Sequence, residues 1–255
     1  MRFFTRDGLR LAYIDAAPTT DDLGEPILLI HGFASSHAVN WVNTLWVKTL
    51  TGAGRRVIAI DNRGHGQSDK PHDPAAYGLP NMAGDALALL DHLGLERVDV
   101  MGYSMGARIA AFLALGHPER VRSIVLGGLG QHLVSRSNLP LAIADAMDAP
   151  ALESLTDPTQ RMFRAFADAN GADREALSAC IRGARDTMSE ADVGRIACPV
   201  LVAIGTKDAI AGDARKLAAL NARARALDIP GRDHNLAVGD KVFKQGVLEF
   251  LQDRS

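Results

Sequence analysis

The fold is read most directly from DVMGYSMGARIAAFLAL, Asp99–Leu115. This stretch opens as a β-like run, stops at Gly102, sets one serine between small residues, and continues at once as an apolar, helix-like segment. At its centre Gly102, Ser104 and Gly106 form the pattern G-x-S-x-G between a strand and a helix, the context that gives this pattern mechanical meaning. A sharp strand-to-helix turn forces the serine into a strained backbone conformation, and the flanking glycines let neighbouring backbone pass without a Cβ clash. The hydroxyl is then presented beside the first N–H groups and the dipole of the helix, where charge developing on a substrate oxygen is stabilised.

Working outward, continuous apolar runs recur with helix-compatible segments between them. ILLIHG, Ile27–Gly32, has the look of a strand covered on both faces, and RVIAIDNRGHG from Arg56 repeats it after a helix-compatible VNWVNTLWVKTLTGAG. NMAGDALALLDHLGL from Asn81 reads as a helix, RVDVMG as the strand before Ser104, and VRSIVLGG from Val121 as the strand after its helix. Strand, helix, strand at this spacing makes βαβ units in a doubly wound, mostly parallel α/β sheet. Residues 2–16 alternate around Asp7-Gly8 and predict an edge hairpin. From about Gly130 to Arg195 the texture changes to Ala, Met, Arg and Asp with breaks at Pro140, Pro150 and Pro158, which predicts an insertion of short helices. The sheet resumes with CPVLVAIGTKD from Cys198, a helix in AGDARKLAALNA, a short strand in ARALDIPG, and a closing helix KVFKQGVLEFLQD.

Composition narrows the function classes. A chain of 255 residues with 47% hydrophobic and 23% charged residues is an ordinary globule with room for one large core. The net charge of −2 leaves no electrostatic footprint for nucleic acid, and apolar runs such as IAAFLAL are far below a transmembrane span, so neither DNA, RNA nor membrane is an expected partner. The start, MRFFTRDGLRLAYID, lacks a long apolar core with a cleavage site, and a cytoplasmic location is expected. Two cysteines, Cys180 and Cys198, are too few for a disulfide framework and read as reduced, packed thiols. Histidines without an i,i+4 pair argue against a built metal site; GAG at Gly52–Gly54 precedes a strand, the wrong order for a dinucleotide fingerprint, and GYSMGA lacks a phosphate-binding lysine. No metal or cofactor is expected.

A neutral serine needs a base, normally a histidine oriented by a carboxylate. In an open parallel sheet, sites form at the carboxyl ends of strands, which selects Asp208 in GTKD and His234 in GRDHN among the acids and eight histidines. The chain order Ser104, Asp208, His234 is the one this architecture requires. His92 and His117 fall near helix C-termini, where a solvated or dipole-pairing ring is the simpler reading, and His65 in RGHG reads as a turn-stabilising hydrogen bonder. Neither His37, His72 nor His132 has a partner that the sequence names. Asp233 is adjacent to His234, a poor geometry for orienting it, and Asp61 reads as the anchor of a tight loop. HGFASS, from His31, offers the backbone N–H of Phe33, which with that of Met105 makes a two-donor oxyanion hole; a plain glycine turn with His31 and Phe33 packed beneath is the alternative.

These segments together resemble the α/β-hydrolase fold over essentially the whole chain: LLIHGF resembles the oxyanion loop, DNRGHGQSD the segment after the next strand, GYSMG the nucleophile elbow, GTKD the acid loop and GRDH the histidine loop. The resemblance implies a central sheet of about eight strands with flanking helices, a core over residues 1–129 and 196–255, and a small helical cap at 130–195. It implies Ser104 as nucleophile, Asp208 as acid and His234 as base. Serine at the elbow speaks against the haloalkane dehalogenase and epoxide hydrolase branches, which carry aspartate there. Two departures stand out: arginine and aspartate precede His234 where relatives often have a small residue, and Ala107 follows Gly106 where many have a second glycine.

The expected activity is that of a cofactor-free serine hydrolase, a monomer or homodimer, cleaving a small and mostly apolar carboxylic ester or lactone. The same triad serves carbon–carbon bond hydrolases and perhydrolases, and a ligand-binding receptor on this fold is the third alternative. Phe33, Tyr103, Met147, Met162, Phe163 and Phe166 are the candidate substrate-binding residues, with Met188 beside them; at helical spacing the cap residues among them serve equally as packing.

Overall fold

In a computed structural model that describes residues 1–135 and 139–254, eight strands form one sheet in the order β1-β2-β4-β3-β5-β6-β7-β8. The first two, β1 (Arg2–Arg6) and β2 (Leu9–Ala16), are the predicted edge hairpin, turned at Asp7 and Gly8 with φ of 51° and 78°. Positive φ at both central residues matches the right-handed twist of the flanking strands, and Gly8 takes it without a Cβ penalty. β2 runs antiparallel to β4 (Val57–Ile60), and every later pairing is parallel: β3 (Ile27–Ile30), β5 (Val98–Tyr103), β6 (Val121–Gly127), β7 (Val200–Gly205) and β8 (Ala224–Ile229).

Strands β3, β4, β5 and β7 are buried at every position, which is why the sequence shows them as unbroken apolar runs. The period of two survives in the packing. Leu28, Ile30, Ile58, Ile60 and Val100 enter the core on one face, whereas Ile27, Leu29, Val57, Ala59 and Met101 enter a second core on the other. That second core is closed by α1 (Trp46–Gly52), whose Trp46 packs edge-on against Phe243 at 5.0 Å between ring centres. The first is closed by α2 (Leu79–His92) and α3 (Met105–Gly116).

Among the described residues from 130 to 195 there is no strand. The segment forms α4 (His132–Ser135), α5 (Leu141–Asp148), α6 (Pro158–Ala169), α7 (Arg174–Gly183) and α8 (Glu190–Arg195). Two of the predicted breaks have structural jobs: Pro140 occupies the position before α5, and Pro158 takes the first turn of α6, where its missing N–H costs nothing. Asp157 and Asp173 cap α6 and α7 by accepting from Gln160 N and Ala176 N, and Ser189 with Asp192 forms a capping box on α8. Beyond β7 come α9 (Ala214–Ala218), α10 (His234–Ala237) and α11 (Lys241–Asp253), the last packing Phe243, Val247, Phe250 and Leu251 into the core that holds Trp46.

One expected helix is broken. The segment 39–54 divides into a wide turn at Ala38–Val42 and α1, with Leu45 in the left-handed region at φ 67°. The break has a tertiary cause that the apolar spacing does not carry: Asn40 turns inward to accept the N–H of Gly32 at 2.8 Å, and the Trp46 indole donates to Val238 O at 2.6 Å.

Candidate active site

Ser104 sits between β5 and α3 with φ 55° and ψ −113°, a conformation that a residue with a side chain rarely adopts. The chain holds it there by close packing on both sides. A Cβ on Gly102 would lie 2.1 Å from Gly106 O, and one on Gly106 would lie 2.0 Å from Ile30 O. Both glycines are therefore demanded by backbone contacts, at normal φ, and the serine alone carries the unusual dihedral. Ala107, the departure from the usual second glycine, is buried in the core at no visible cost to the turn.

The three residues selected from the sequence meet. His234 Nε2 lies 3.0 Å from Ser104 Oγ, and His234 Nδ1 lies 2.7 Å from Asp208 Oδ2. Asp208 follows β7 with its side chain fully buried; its other oxygen, Oδ1, accepts from Ile210 N at 2.8 Å and Ala211 N at 3.0 Å. With both oxygens so engaged, the carboxylate has one orientation, and it fixes the proton of His234 on Nδ1, leaving Nε2 as the acceptor that faces the hydroxyl. His234 opens α10, and Asp233 caps that helix by accepting from Asn235 N and Leu236 N. Asp233 is thus turned to the backbone and does not compete with Asp208 for the ring.

Tyr103, beside the serine, donates its hydroxyl to His234 O at 2.5 Å and holds the histidine loop against the elbow. Burial pushes this phenol well above the usual tyrosine range, with the charges of Asp208 and Asp233 adding to the effect, so it stays a donor.

The loop after β3 supplies the facing wall. His31 is completely buried; its Nδ1 donates to Gly32 O at 2.8 Å and its Nε2 accepts from Asn62 N at 3.0 Å, a pattern only the neutral ring can make. Burial lowers its pKa, consistent with that tautomer. Gly32 N is consumed by Asn40, and Ala34 turns the chain at φ 56°. Phe33 N, between them, has no acceptor among the described residues, and Met105 N, as the first of α3, has no intrahelical one. These are the two N–H groups that the sequence nominated.

Behind the loop, Asp61 anchors the DNRGHG turn as expected, accepting from His37 N and its ring at Oδ1 and from Gln67 N at Oδ2. Burial alone would raise this carboxyl, but the His37 hydrogen bond, the nearby His31 and the two N–H groups outweigh it and hold it at about 2. His37 thereby gains the partner that the sequence did not name, as do His72 with Asp173 and His132 with Ile210 O. His65 bonds Arg63 O at 2.9 Å, the turn role expected of it, and its ring lies edge-on to Phe33.

Two cavities open on either side of Ser104 and share it and Phe163 as walls. One, about 200 Å³, is lined by Phe33, Val39, Tyr103, Met162, Phe166 and Val238 among others; the second, about 280 Å³, runs past Met105, Arg108, Leu129, His132 and Thr159. Of the substrate-binding candidates named from the sequence, Phe33, Tyr103, Met162, Phe163 and Phe166 line the smaller cavity. Met147 does not: it points into the packed interior of the helical layer with Ile143 and Ala144 and reaches neither cavity, and Met188 is buried likewise. Helical spacing alone does not separate the two faces of α5. The sequence reading also missed Arg108, although a single cation in the otherwise apolar run MGARIAAFLAL marks it.

Comparison with known proteins agrees with this architecture. The pattern of a family described as alpha/beta hydrolase fold matches residues 25–179. Epoxide hydrolase B of Mycobacterium tuberculosis is 36% identical over 118 residues, 46% of this chain, and the match spans about a third (32%) of that relative's length. A non-heme chloroperoxidase of Streptomyces lividans is 30% identical over 97% of this chain and 98% of its own. The crystal structure of a hydrolase from Pseudomonas aeruginosa superposes with a TM-score of 0.77 at 28% identity, covering 98% of this chain and 97% of that one. By sequence pattern, full-length relative and superposed structure alike, the chain belongs to the α/β-hydrolase fold family.

Proposed function

We propose that the protein is a serine hydrolase that cleaves a small carboxylic ester or lactone through an acyl-enzyme. The observation that carries this reading is the continuous relay of Ser104 Oγ, His234 and Asp208 at 3.0 and 2.7 Å, set at the meeting of two cavities. His234 Nε2 takes the hydroxyl proton as Ser104 Oγ adds to the substrate carbonyl, and the oxyanion formed is held by the N–H groups of Phe33 and Met105. The imidazolium, stabilised by Asp208, returns that proton to the leaving oxygen as its bond to the carbonyl carbon breaks. Water, deprotonated by the same ring, then adds to the acyl-enzyme, and collapse of the second oxyanion restores Ser104 and releases the acid. Each cavity takes one side of the scissile bond.

The substrate is a small molecule, the working form a monomer or homodimer, and the setting cytoplasmic, which suits the free, buried thiols of Cys180 and Cys198. Among the described residues no helix is long and apolar enough to cross a membrane. A second reaction is favoured by the relative matched over almost its full length, a chloroperoxidase: hydrogen peroxide in place of water at the acyl-enzyme gives a peracid with the same groups. Short 4-nitrophenyl esters, with and without peroxide, separate the two. Ser104→Ala is expected to abolish both ester turnover and labelling by a fluorophosphonate; a variant that keeps wild-type turnover would overturn the assignment.

A further inference from the structure

Four arginines are buried among the described residues. Arg55 pairs with Asp99, Arg63 with Asp85, and Arg164 with Asp168. Arg108 differs. Among the described residues no carboxylate lies within ion-pair distance of it, and Arg136, Ser137 and Asn138 carry no acidic side chain. Among the described residues its guanidinium donates only to carbonyls, Leu133 O at 3.0 Å and His132 O at 2.7 Å. Two carboxylates of the loop that carries Ala209 and Ile210, which line the same cavity, are committed elsewhere: Asp208 to His234 and two backbone N–H groups, Asp213 to the cap of α9.

A guanidinium carries five donors in a rigid fork, and burying that charge without a counter-charge is costly; two carbonyl bonds, which any neutral donor supplies, do not account for it. Arg108 also lies in the wall of the larger cavity, one helical turn from Ser104, with its N–H bonded to Ser104 O at 3.2 Å. The rise over that turn is about 6 Å, within the span of a small substrate. Burial and the charge of Arg185 bring the Arg108 pKa down to about 10, so the group is a cation throughout the neutral range. The smaller cavity mixes apolar walls, Phe33, Met162 and Phe166, with polar ones, Asn40, Thr44 and Asn235, and among the described residues no arginine or lysine lines it.

We propose that the Arg108 side of the site binds a carboxylate, so that the substrate is an ester or lactone bearing a second, ionised carboxyl group, with its apolar end between Phe33 and Phe166. The fork donates to the two carboxylate oxygens side by side, and the anion supplies the counter-charge that no described residue provides. This substrate class rests on the reading of Ser104 as the nucleophile; the anion site itself does not.

Two measurements test it. The first compares esters that differ only in charge, with the carboxylate on the acyl side (mono-4-nitrophenyl glutarate against its methyl ester) or on the alcohol side (4-acetoxybenzoate against its methyl ester). At low ionic strength at least one charged ester is expected to show kcat/KM about tenfold or more above its neutral partner, the size of a charge-assisted hydrogen bond. In Arg108→Gln that ratio is expected to fall to about one, and in Arg108→Lys, which keeps the charge without the fork, to an intermediate value. The second is turnover-free: glutarate, but not dimethyl glutarate, is expected to raise the Tm of both the wild-type and Ser104→Ala proteins, and to do so less in Arg108→Lys. Equal rates on charged and neutral esters with no effect of glutarate on Tm would overturn the proposal, as would a charge preference that survives in Arg108→Lys and Arg108→Gln alike. If no ester is turned over and Ser104 resists the fluorophosphonate, the hydrolase reading fails while the glutarate measurement still decides the anion site.

Discussion

Replacing Asp208 by asparagine keeps the shape of the relay and reverses its proton. Oδ1 of Asp208 accepts two backbone N–H groups, from Ile210 and Ala211, and Oδ2 accepts from His234 Nδ1. An asparagine must place its single carbonyl oxygen where two donors converge, which turns its NH2 group toward His234. The ring then accepts at Nδ1 and carries its proton on Nε2, facing Ser104 Oγ, where it can no longer act as a base. The productive tautomer requires the amide to flip, which sets the NH2 against Ile210 N and Ala211 N and leaves two buried donors unpaired. At about 1–3 kcal/mol for each, the flip costs about 2–6 kcal/mol, or roughly a 30- to 10⁴-fold loss of kcat at 1.36 kcal/mol per decade. The assay is kcat on a short 4-nitrophenyl ester at neutral pH, with urea denaturation to show that Asp208→Asn is folded. A folded variant whose kcat lies within fivefold of wild type would refute the claim that the Ile210 and Ala211 N–H groups dictate the tautomer.

Two glycines of one helix separate close packing from helix propensity. At Gly106 a Cβ would meet Ile30 O at 2.0 Å, whereas at Gly116 it meets nothing within 4 Å. Gly106→Ala is expected to destabilise by about 1–3 kcal/mol or more through overpacking and to slow labelling of Ser104, while Gly116→Ala is expected to be neutral or stabilising by up to ~1 kcal/mol; urea midpoints decide, and equal midpoints would contradict the contact. His65 sets a pH dependence of stability. Burial, reinforced by His31, lowers its pKa to about 3, below the ordinary histidine value of 6.5, so between these pH values the unfolded chain binds a proton that the folded one refuses. Its contribution is full above pH 6.5 and is lost as pH falls toward 3, with a slope of about 1.4 kcal/mol per pH unit. His65→Gln is expected to flatten that slope in urea titrations at pH 7, 6 and 5; an unchanged slope would show that His65 is protonated in the folded state.

Much of this site is legible in the chain because its parts are local. The elbow is written in Gly102, Ser104 and Gly106, since the turn's clearances arise within five residues and from the strand beside them. Asp208 and His234 follow strands β7 and β8, and a parallel sheet delivers the residues after its strands to one edge whatever lies between. The break at Leu45, the exclusion of Met147 from the cavities and the partners of His37 and His132 are not legible, since each depends on what a distant segment places opposite. Arg108 lies between: its position is visible in the sequence, but that no described carboxylate pairs with it is a property of everything packed around it.

Apolar period, glycine placement and turn chemistry act over short spans, and they make legible in the chain the succession of strands and helices, the order Ser104, Asp208, His234 and the segment of short helices. Which oxygen of Asp208 faces which donor, how the site divides at Ser104 into two cavities of which one holds a cation, and that among the described residues no carboxylate pairs with a buried arginine one turn from the serine are settled by tertiary packing. Those features rest on contacts between residues up to 130 positions apart, as Ser104 and His234 are, and on the absence of a charge, which no local pattern encodes.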